Sequence, residues 1–218
     1  MDTYTPTERT QVKRLPKRGV YDREQVHAIL DEGFICHVGF VSDGQPYVIP
    51  TGYARAGEQI YIHGSAASRM LRQMKESVPV CITVTLLDGL VLARSIFNQS
   101  MNYRSVVVLG KATLVDDPAE KLEALRLLSE YILPGRWADS RQPNASEIKQ
   151  TSVLRLPIEE FSAKVRVGPA IDDEEDYSFP TWAGVVPVEM VAGEPIDDAR
   201  MSAGVDVPEY ARAYTRKR

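Results

Sequence analysis

The sequence is poor in the residue types that most recognisable catalytic motifs require. Among 218 residues it holds 2 cysteines, Cys36 and Cys81, and 3 histidines, His27, His37 and His63. The cysteines lie far apart, with no CxxC spacing, inside the apolar runs FICHVGF and VPVCITVTLL. That context suits buried thiols in a reducing compartment, so a disulfide framework and a thiol redox site are not expected. The histidines show no metal-ligand spacing with each other or with the cysteines, so no metal site is expected. GxSxG, GxGxxG and Walker sequences are all missing, which argues against an α/β-hydrolase, a Rossmann site and a P-loop. A basic field is missing too. With 26 Lys and Arg against 30 Asp and Glu, the net charge is −4, a poor match for nucleic acid or an anionic membrane. The most apolar stretch, 78–93, is interrupted by Pro79 and Asp88-Gly89 and is too short for a bilayer span. The N-terminus lacks the apolar core of a secretory signal, so a cytoplasmic location is expected.

What is present is ordinary globular composition, 44% hydrophobic and 26% charged, in a chain long enough to bury a sizeable core. Residues 1–20 read as an extended arm. Asp22 suits the N-cap of a helix over 22–32 that buries Val26, Ile29 and Leu30 and stops at Gly33. FICHVGFV (34–41), PYVIPTGYA (46–54) and IYIHG (60–64) read as three strands joined by the turns SDGQ and ARAGEQ. Pro46 and Pro50 confine the middle strand to an edge or a bulge. AASRMLRQMKE (66–76) is predicted helical, and two strands are predicted over 78–87 and 89–96 with a turn at Asp88-Gly89. A long strand over 104–115 leads to a helix over 119–133 with Leu122, Leu125, Leu128 and Ile132 on one side. Residues 153–168 give two strands, or one bent at Pro157. One domain over 21–168 follows from this continuity, with an extension over 169–218 ordered around Trp182 and ending in a mobile tail. Six or seven strands with few helices point to a barrel or sandwich with helices outside.

Four segments have the makings of a ligand site. In YIHGSAASRMLRQ (61–73), Gly64 permits a sharp turn, Ser65 suits an N-cap, and Ser68 and Arg69 follow. A helix start favours an anion, and Arg69 adds a permanently charged fork suited to phosphate oxygens. A plain cap with a solvated arginine fits this segment about as well. His63 stands beside that turn, whereas His27 reads as a surface residue and His37 as a core one. FNQSMNYRSVVVLGKA (97–112) crowds Asn102, Tyr103, Arg104 and Ser105 before an apolar strand; amide and phenol groups there can read a heterocycle, or simply line a loop. In VIPTGYA (48–54) the prolines leave main-chain groups at Ile49, Pro50 and Thr51 outside the ladder. In FPTWAGVVP (179–187) Trp182 sits between prolines, as a packed anchor or as a lid over a flat ligand.

At these residues the chain resembles the pyridoxamine 5′-phosphate oxidase-like FMN-binding split barrels, in particular the nitroimidazole-resistance branch. DGQPYVIPTGYA, IYIHGSAASRM, NYRSVVVLGKA and WAGVVP match in that order, across about residues 34–187. The resemblance implies a mainly β, six-stranded antiparallel split barrel of Greek-key type with peripheral helices. It implies a homodimer with FMN at the subunit interface. It makes Ser65, Ser68 and Arg69 phosphate ligands, and puts Ile49, Pro50 and Thr51 along the isoalloxazine. Asn102, Tyr103, Arg104 and Ser105 come near the flavin or its ribityl chain, with Trp182 approaching the flavin. Asn98-Gln99 stand where relatives often carry histidine, and no substrate-phosphate site of a true pyridoxamine phosphate oxidase is visible. The expected activity is an FMN-dependent oxidoreductase acting on a small molecule. A non-catalytic flavin or haem binder, or a cofactor-free dimeric module, is the alternative.

Overall fold

The computed structural model describes residues 3–74 and 77–215; the side chains of Arg69 and Met74 lie outside the description. Short β1 (Gly19–Val20) precedes helix α1 (Arg23–Glu32). Strands β2 (Ile35–Ser42), β3 (Gln45–Ala56) and β4 (Gln59–Ser65) lead to α2 (Arg69–Met74). Next come β5 (Pro79–Leu92), β6 (Ser100–Lys111) and β7 (Thr113–Leu114). Helices α3 (Pro118–Ile132), α4 (Arg136–Asp139) and α5 (Ala145–Gln150) lead to β8 (Thr151–Pro157) and β9 (Glu160–Arg166). After β10 (Gly184–Pro187) the last element is α6 (Glu209–Arg212). The fold is mainly antiparallel β with a few helices. It has ten strands among the described residues rather than six; β1, β7 and β10 are only two to four residues long.

Helix starts follow local chemistry. Asp22 Oδ1 accepts from the Gln25 N–H at 3.0 Å, and Asp117 Oδ1 from the Glu120 N–H at 2.7 Å. Such caps satisfy donors that the helix cannot pair itself and contribute about 1 kcal/mol each. α1 buries Val26, Ile29 and Leu30, the predicted stripe. On α3 the buried face runs through Ala124 and Leu128, while Leu122 is 38% exposed, so the stripe sits rotated from the leucine spacing.

The chain groups into two compact units. The first takes the residues up to Gly33, Ile82–Val108 and Glu160–Met190. Its strand order is β1-β9-β6-β5, and β10 also pairs with β5. Val84, Val91, Val106, Phe161 and Ala163 are buried in it, and the Tyr4 ring lies 4.5 Å from that of Phe161. The second takes Phe34–Cys81, Leu109–Glu159 and the residues from Val191 onward. Its order is β2-β3-β4-β8-β7, around buried Val38, Tyr53, Ile60, Ile62, Leu71 and Leu154. Cys36 is also buried there, and desolvation pushes its thiol up to about 12, which keeps it unreactive. Cys81 is half-buried rather than fully buried. In this unit the Tyr214 hydroxyl donates to the Ile132 carbonyl at 2.9 Å, docking the end of the chain on α3.

Two expectations fail for physical reasons. Asp88-Gly89 is not a turn; it lies inside the 14-residue β5. Asp88 is drawn into an ion pair with Arg104, and Gly89 serves close approach, since a Cβ there would meet Val185 Cγ1 at 3.0 Å and the Val186 carbonyl at 3.1 Å. The second concerns β3, an interior strand despite its prolines. Its two neighbours use different lengths of it: β2 pairs with Gln45–Gly52 and β4 with Tyr53–Ala56. Pro46 and Pro50 therefore fall where the β2 ladder alone runs, and their missing N–H groups cost no second ladder.

Asp172 latches part of the first unit. Its side chain is fully buried and accepts from the backbone N–H groups of Arg94 at 3.0 Å and Ser95 at 3.1 Å, with Arg94 Nη1 at 3.3 Å. Burial opposes ionisation, but these donors outweigh it and hold the carboxyl below its ordinary value of 3.8. A depressed folded pKa gives stability that is present above the unfolded value and lost as pH falls through the folded one. Asp172→Ala is expected to cost about 2–3 kcal/mol at neutral pH. In urea titrations the gap between wild type and variant should narrow as pH falls below the ordinary carboxyl value; a gap independent of pH would contradict the ionic latch.

Candidate functional site

The second unit carries Ile49, Pro50, Thr51, His63, Ser65, Ser68 and Arg69, and the first carries Asn102, Tyr103, Arg104, Ser105 and Trp182.

In the second unit β4 ends at Ser65. The Ser65 carbonyl accepts from the Ser68 N–H at 2.9 Å, and its hydroxyl oxygen accepts from the Ala67 N–H at 3.2 Å. The Ser68 carbonyl accepts from the Arg72 N–H at 2.9 Å, the first bond of α2. Ser68, not Ser65, is therefore the last residue before the helix, and the helix starts at Arg69 rather than at 66. The reason is that Ser65 spends its carbonyl and hydroxyl on the turn, which is anchored by the Ala66 N–H donating to the Gln150 carbonyl at 2.9 Å. The turn gathers Ser65, Ser68 and the backbone of Arg69 within five residues. α2 is a six-residue helix, so its dipole is small. His63 lies two residues before Ser65 and faces Val153 of β8 in the ladder. Its surface is partly exposed, yet neighbouring atoms desolvate the imidazole enough to push its pKa down, which favours the neutral ring.

Ile49, Pro50 and Thr51 sit on β3 opposite Val38, His37 and Cys36. Pro50 is exposed; Ile49 and Thr51 are half-buried. They belong to the stretch paired with β2 and outside the β3–β4 ladder, which begins at Tyr53. His37 is exposed rather than in the core.

In the first unit, Asn102 to Ser105 lie within β6, which begins at Ser100, rather than in a loop before it. Strand geometry sends Asn102 and Arg104 to one face and Tyr103 and Ser105 to the other. Arg104 is clamped. Its Nε and Nη2 donate to Asp88 at 2.9 and 2.6 Å, and its Nη1 and Nη2 donate to Glu32 at 2.5 and 2.8 Å. Four of the five guanidinium N–H groups are thus engaged. The bonds to Asp88, then those to Glu32, raise its pKa far above the ordinary value. Asn102 is buried; its Nδ2 donates to the Gly168 carbonyl at 3.1 Å, and its Oδ1 accepts from Arg166. Ser105 donates to the Lys164 carbonyl at 3.4 Å. Trp182 is 64% exposed. Its ring lies over Gly184, where an added Cβ would meet the indole at 2.7 Å, so the missing side chain makes room for it.

The sequence reading missed Glu32, Asp88 and Arg166. Asp88 was obscured by the turn signal beside Gly89. For Arg166 the available signal was a charged residue in the apolar alternation of FSAKVRV. No group of three or more His, Cys, Asp or Glu suited to a metal ion occurs among the described residues.

The sequence profile described as pyridoxamine 5′-phosphate oxidase matches residues 22–165. The chain belongs to this family. Among solved structures, the flavocytochrome Anf3 from Azotobacter vinelandii is 46% identical, with a TM-score of 0.90 over 94% of this chain and 96% of that one. A FAD and heme binding protein from Mycobacterium smegmatis is 34% identical, with a TM-score of 0.86 over 89% of this chain and 96% of that one. A putative 5-nitroimidazole antibiotic resistance protein from Bacteroides thetaiotaomicron is 24% identical, with a TM-score of 0.56 over 67% and 86%, a likeness of fold. No curated protein matches the chain. The family's fold is the split barrel, and the family resemblance read from the four segments holds. No helix among the described residues is long and apolar enough to cross a membrane.

The clamp gives Arg104 a checkable structural weight. At 28% exposure the pair lies between surface and buried cases, so Arg104→Ala should cost about 2 kcal/mol by leaving Glu32 and Asp88 facing each other. Arg104→Lys should recover only part of this, because an ammonium cannot bond both carboxylates through a planar fork. Chemical unfolding of both variants checks the order; equal stability of wild type and alanine variant would remove the clamp.

Proposed function

We propose that this chain is a flavin- and haem-binding redox protein that acts as an oxidoreductase on a small molecule. The observation that carries the reading is the Ser65–Ser68 turn, which brings two serine hydroxyls to the start of α2, in a chain 46% identical to a flavocytochrome over nearly its whole length. The flavin is FMN by the resemblance of the motifs. FAD is the form in the name of the mycobacterial relative, and either flavin nucleotide carries a phosphate.

The residues present fit a flavin. Ser65, Ser68 and Arg69 would hold the phosphate, and Ile49–Thr51 of β3 in the same unit would offer main-chain groups to a ring. A bound flavin supplies one- and two-electron chemistry, so the protein needs to bind, orient and exclude water rather than to provide an acid or base. Arg104 is a positioning residue for its strand, since its fork is already taken by Glu32 and Asp88. A haem requires an axial donor; His37 and His63 present exposed imidazoles, and desolvation favours the neutral, ligating form of His63.

A homodimer is part of the proposal. Ile96, Phe97 and Met101 are 81%, 90% and 51% exposed, an apolar surface that a second copy would cover. Two cysteines, neither in a disulfide, suit the cytoplasm.

Absorption spectra of the purified full-length chain should show flavin bands together with a Soret band, and mass spectrometry of the released flavin separates FMN from FAD. A colourless protein that gains no thermal stability from FMN, FAD or haem would overturn the reading. Arg69→Ala should weaken flavin binding by about 1.5–3 kcal/mol, with a smaller effect for Arg72→Ala. Sedimentation should give a dimer; a flavin-saturated monomer would contradict the interface.

A further inference from the structure

Four segments of the first unit meet at one end of its sheet, and the strand registers place them. Gly19 pairs with Lys164, so residues 13–18 arrive beside the end of β9. Asn102 donates to the Gly168 carbonyl and Ser105 to the Lys164 carbonyl, so the start of β6 lies at that same end. β5 stops at Leu92 and its neighbour β6 starts at Ser100, a connection too short for a parallel crossover, so the turn over 93–99 is there as well. Gly184 pairs with Leu92, so the segment that joins β9 to β10 starts and finishes at this end. With β6 on one edge of β5 and β10 on the other, the order across it is β1-β9-β6-β5-β10.

The chemistry changes along that order. Beside β1 and β9 stand Lys13, Arg14, Lys17 and Arg18, four cations. In the middle are Met101 of β6 and Ile96 and Phe97 of the turn to β5, which are 51%, 81% and 90% exposed. On the far side Asp172 is tied to the backbone of Arg94 and Ser95, and four anions follow it, Asp173, Glu174, Glu175 and Asp176. Arg94 lies over the Tyr177 ring at 4.9 Å, which holds this acidic run at the β5 side. Arg14, Lys17, Asp173, Glu174 and Glu175 are exposed, and none of them joins an ion pair among the described residues.

The plain alternative is a solvated sheet end. Charged side chains suit water, and apolar ones scattered singly need no partner. That accounts for the charges. It does not account for three apolar side chains gathered in the open between flanks of opposite sign. A two-fold axis through the apolar middle would bring the cations of each copy onto the anions of the other, twice over. Flanks of one sign would repel their own copy.

We infer that this end of the first unit is a self-complementary interface for a second copy of the chain. Ile96, Phe97 and Met101 lie at the axis, and Arg14 and Lys17 of one copy face Asp173, Glu174 and Glu175 of the other. The inference rests on the homodimer reading and gives it a surface and a pairing rule. An apolar middle with a charged rim is the usual anatomy of such a contact, and the rim charges set register and partner choice.

The test uses the full-length chain in sedimentation and native mass spectrometry, as wild type, R14E/K17E, E174K/E175K and Phe97→Ser. Each charge-reversed variant carries one sign at both flanks, so its homodimer should weaken by about tenfold or more. The two mixed in equal amounts should form the heterodimer in preference to either homodimer, because opposite flanks then meet at both contacts. That preference should fade at high salt, while the weakening caused by Phe97→Ser should persist. Charge-reversed variants that dimerise like wild type, or a mixture no richer in heterodimer than chance, would overturn the inference and leave the dimer standing. So would unchanged association of Phe97→Ser, which keeps the question decidable if a charge-reversed variant does not fold. Wild type that stays monomeric sinks the homodimer reading itself.

Discussion

The guanidinium of Arg104 sits between two carboxylates from different elements, Glu32 at the end of α1 and Asp88 in β5. Much of the first unit depends on that arrangement. A fork that bonds both acids orders α1, β5 and β6 against one another at once. It also turns Asp88 from a turn residue into a strand residue, so that β5 runs unbroken for 14 residues. That length is what lets β10 pair along Gly89–Leu92. The pairing needs Gly89 bare, because Val185 and the Val186 carbonyl occupy the place of a side chain.

The first unit distributes its charges unevenly. Around Arg104 two acids meet one base. Arg166 bonds only neutral acceptors among the described residues. Asp172, by contrast, is fully buried and served by two backbone N–H groups and Arg94, whose guanidinium also lies 4.9 Å above the Tyr177 ring.

The second unit rests on a different constraint, the division of β3 between two partners. Because β2 and β4 use successive stretches, the prolines remain compatible with an interior strand. Strand-forming runs, the Asp-Gly turn after β2, the cap at Asp22 and the order of the four family segments were legible in the sequence because each is a local signal. The first helical residue of α2 was not, since Ser65 and Ser68 are both good caps and the choice fell to the Ala66–Gln150 bond across the unit. Nor was the strand through Asp88-Gly89, where a strong turn signal was overridden by an ion pair to a residue 16 positions away.

By itself the sequence determined the class of fold, the family, and the residue types offered to a phosphate at Ser65, Ser68 and Arg69. These follow from side-chain chemistry and short-range spacing. Only the tertiary structure decided which arginines are spent and which are available. Arg104 reads in the sequence as a ligand and is held by Glu32 and Asp88; Arg166 reads as one more charged residue of a strand and is buried without an acid. Whether a charge is satisfied depends on what the fold brings within a few ångströms of it, and that distance is not written in the order of residues.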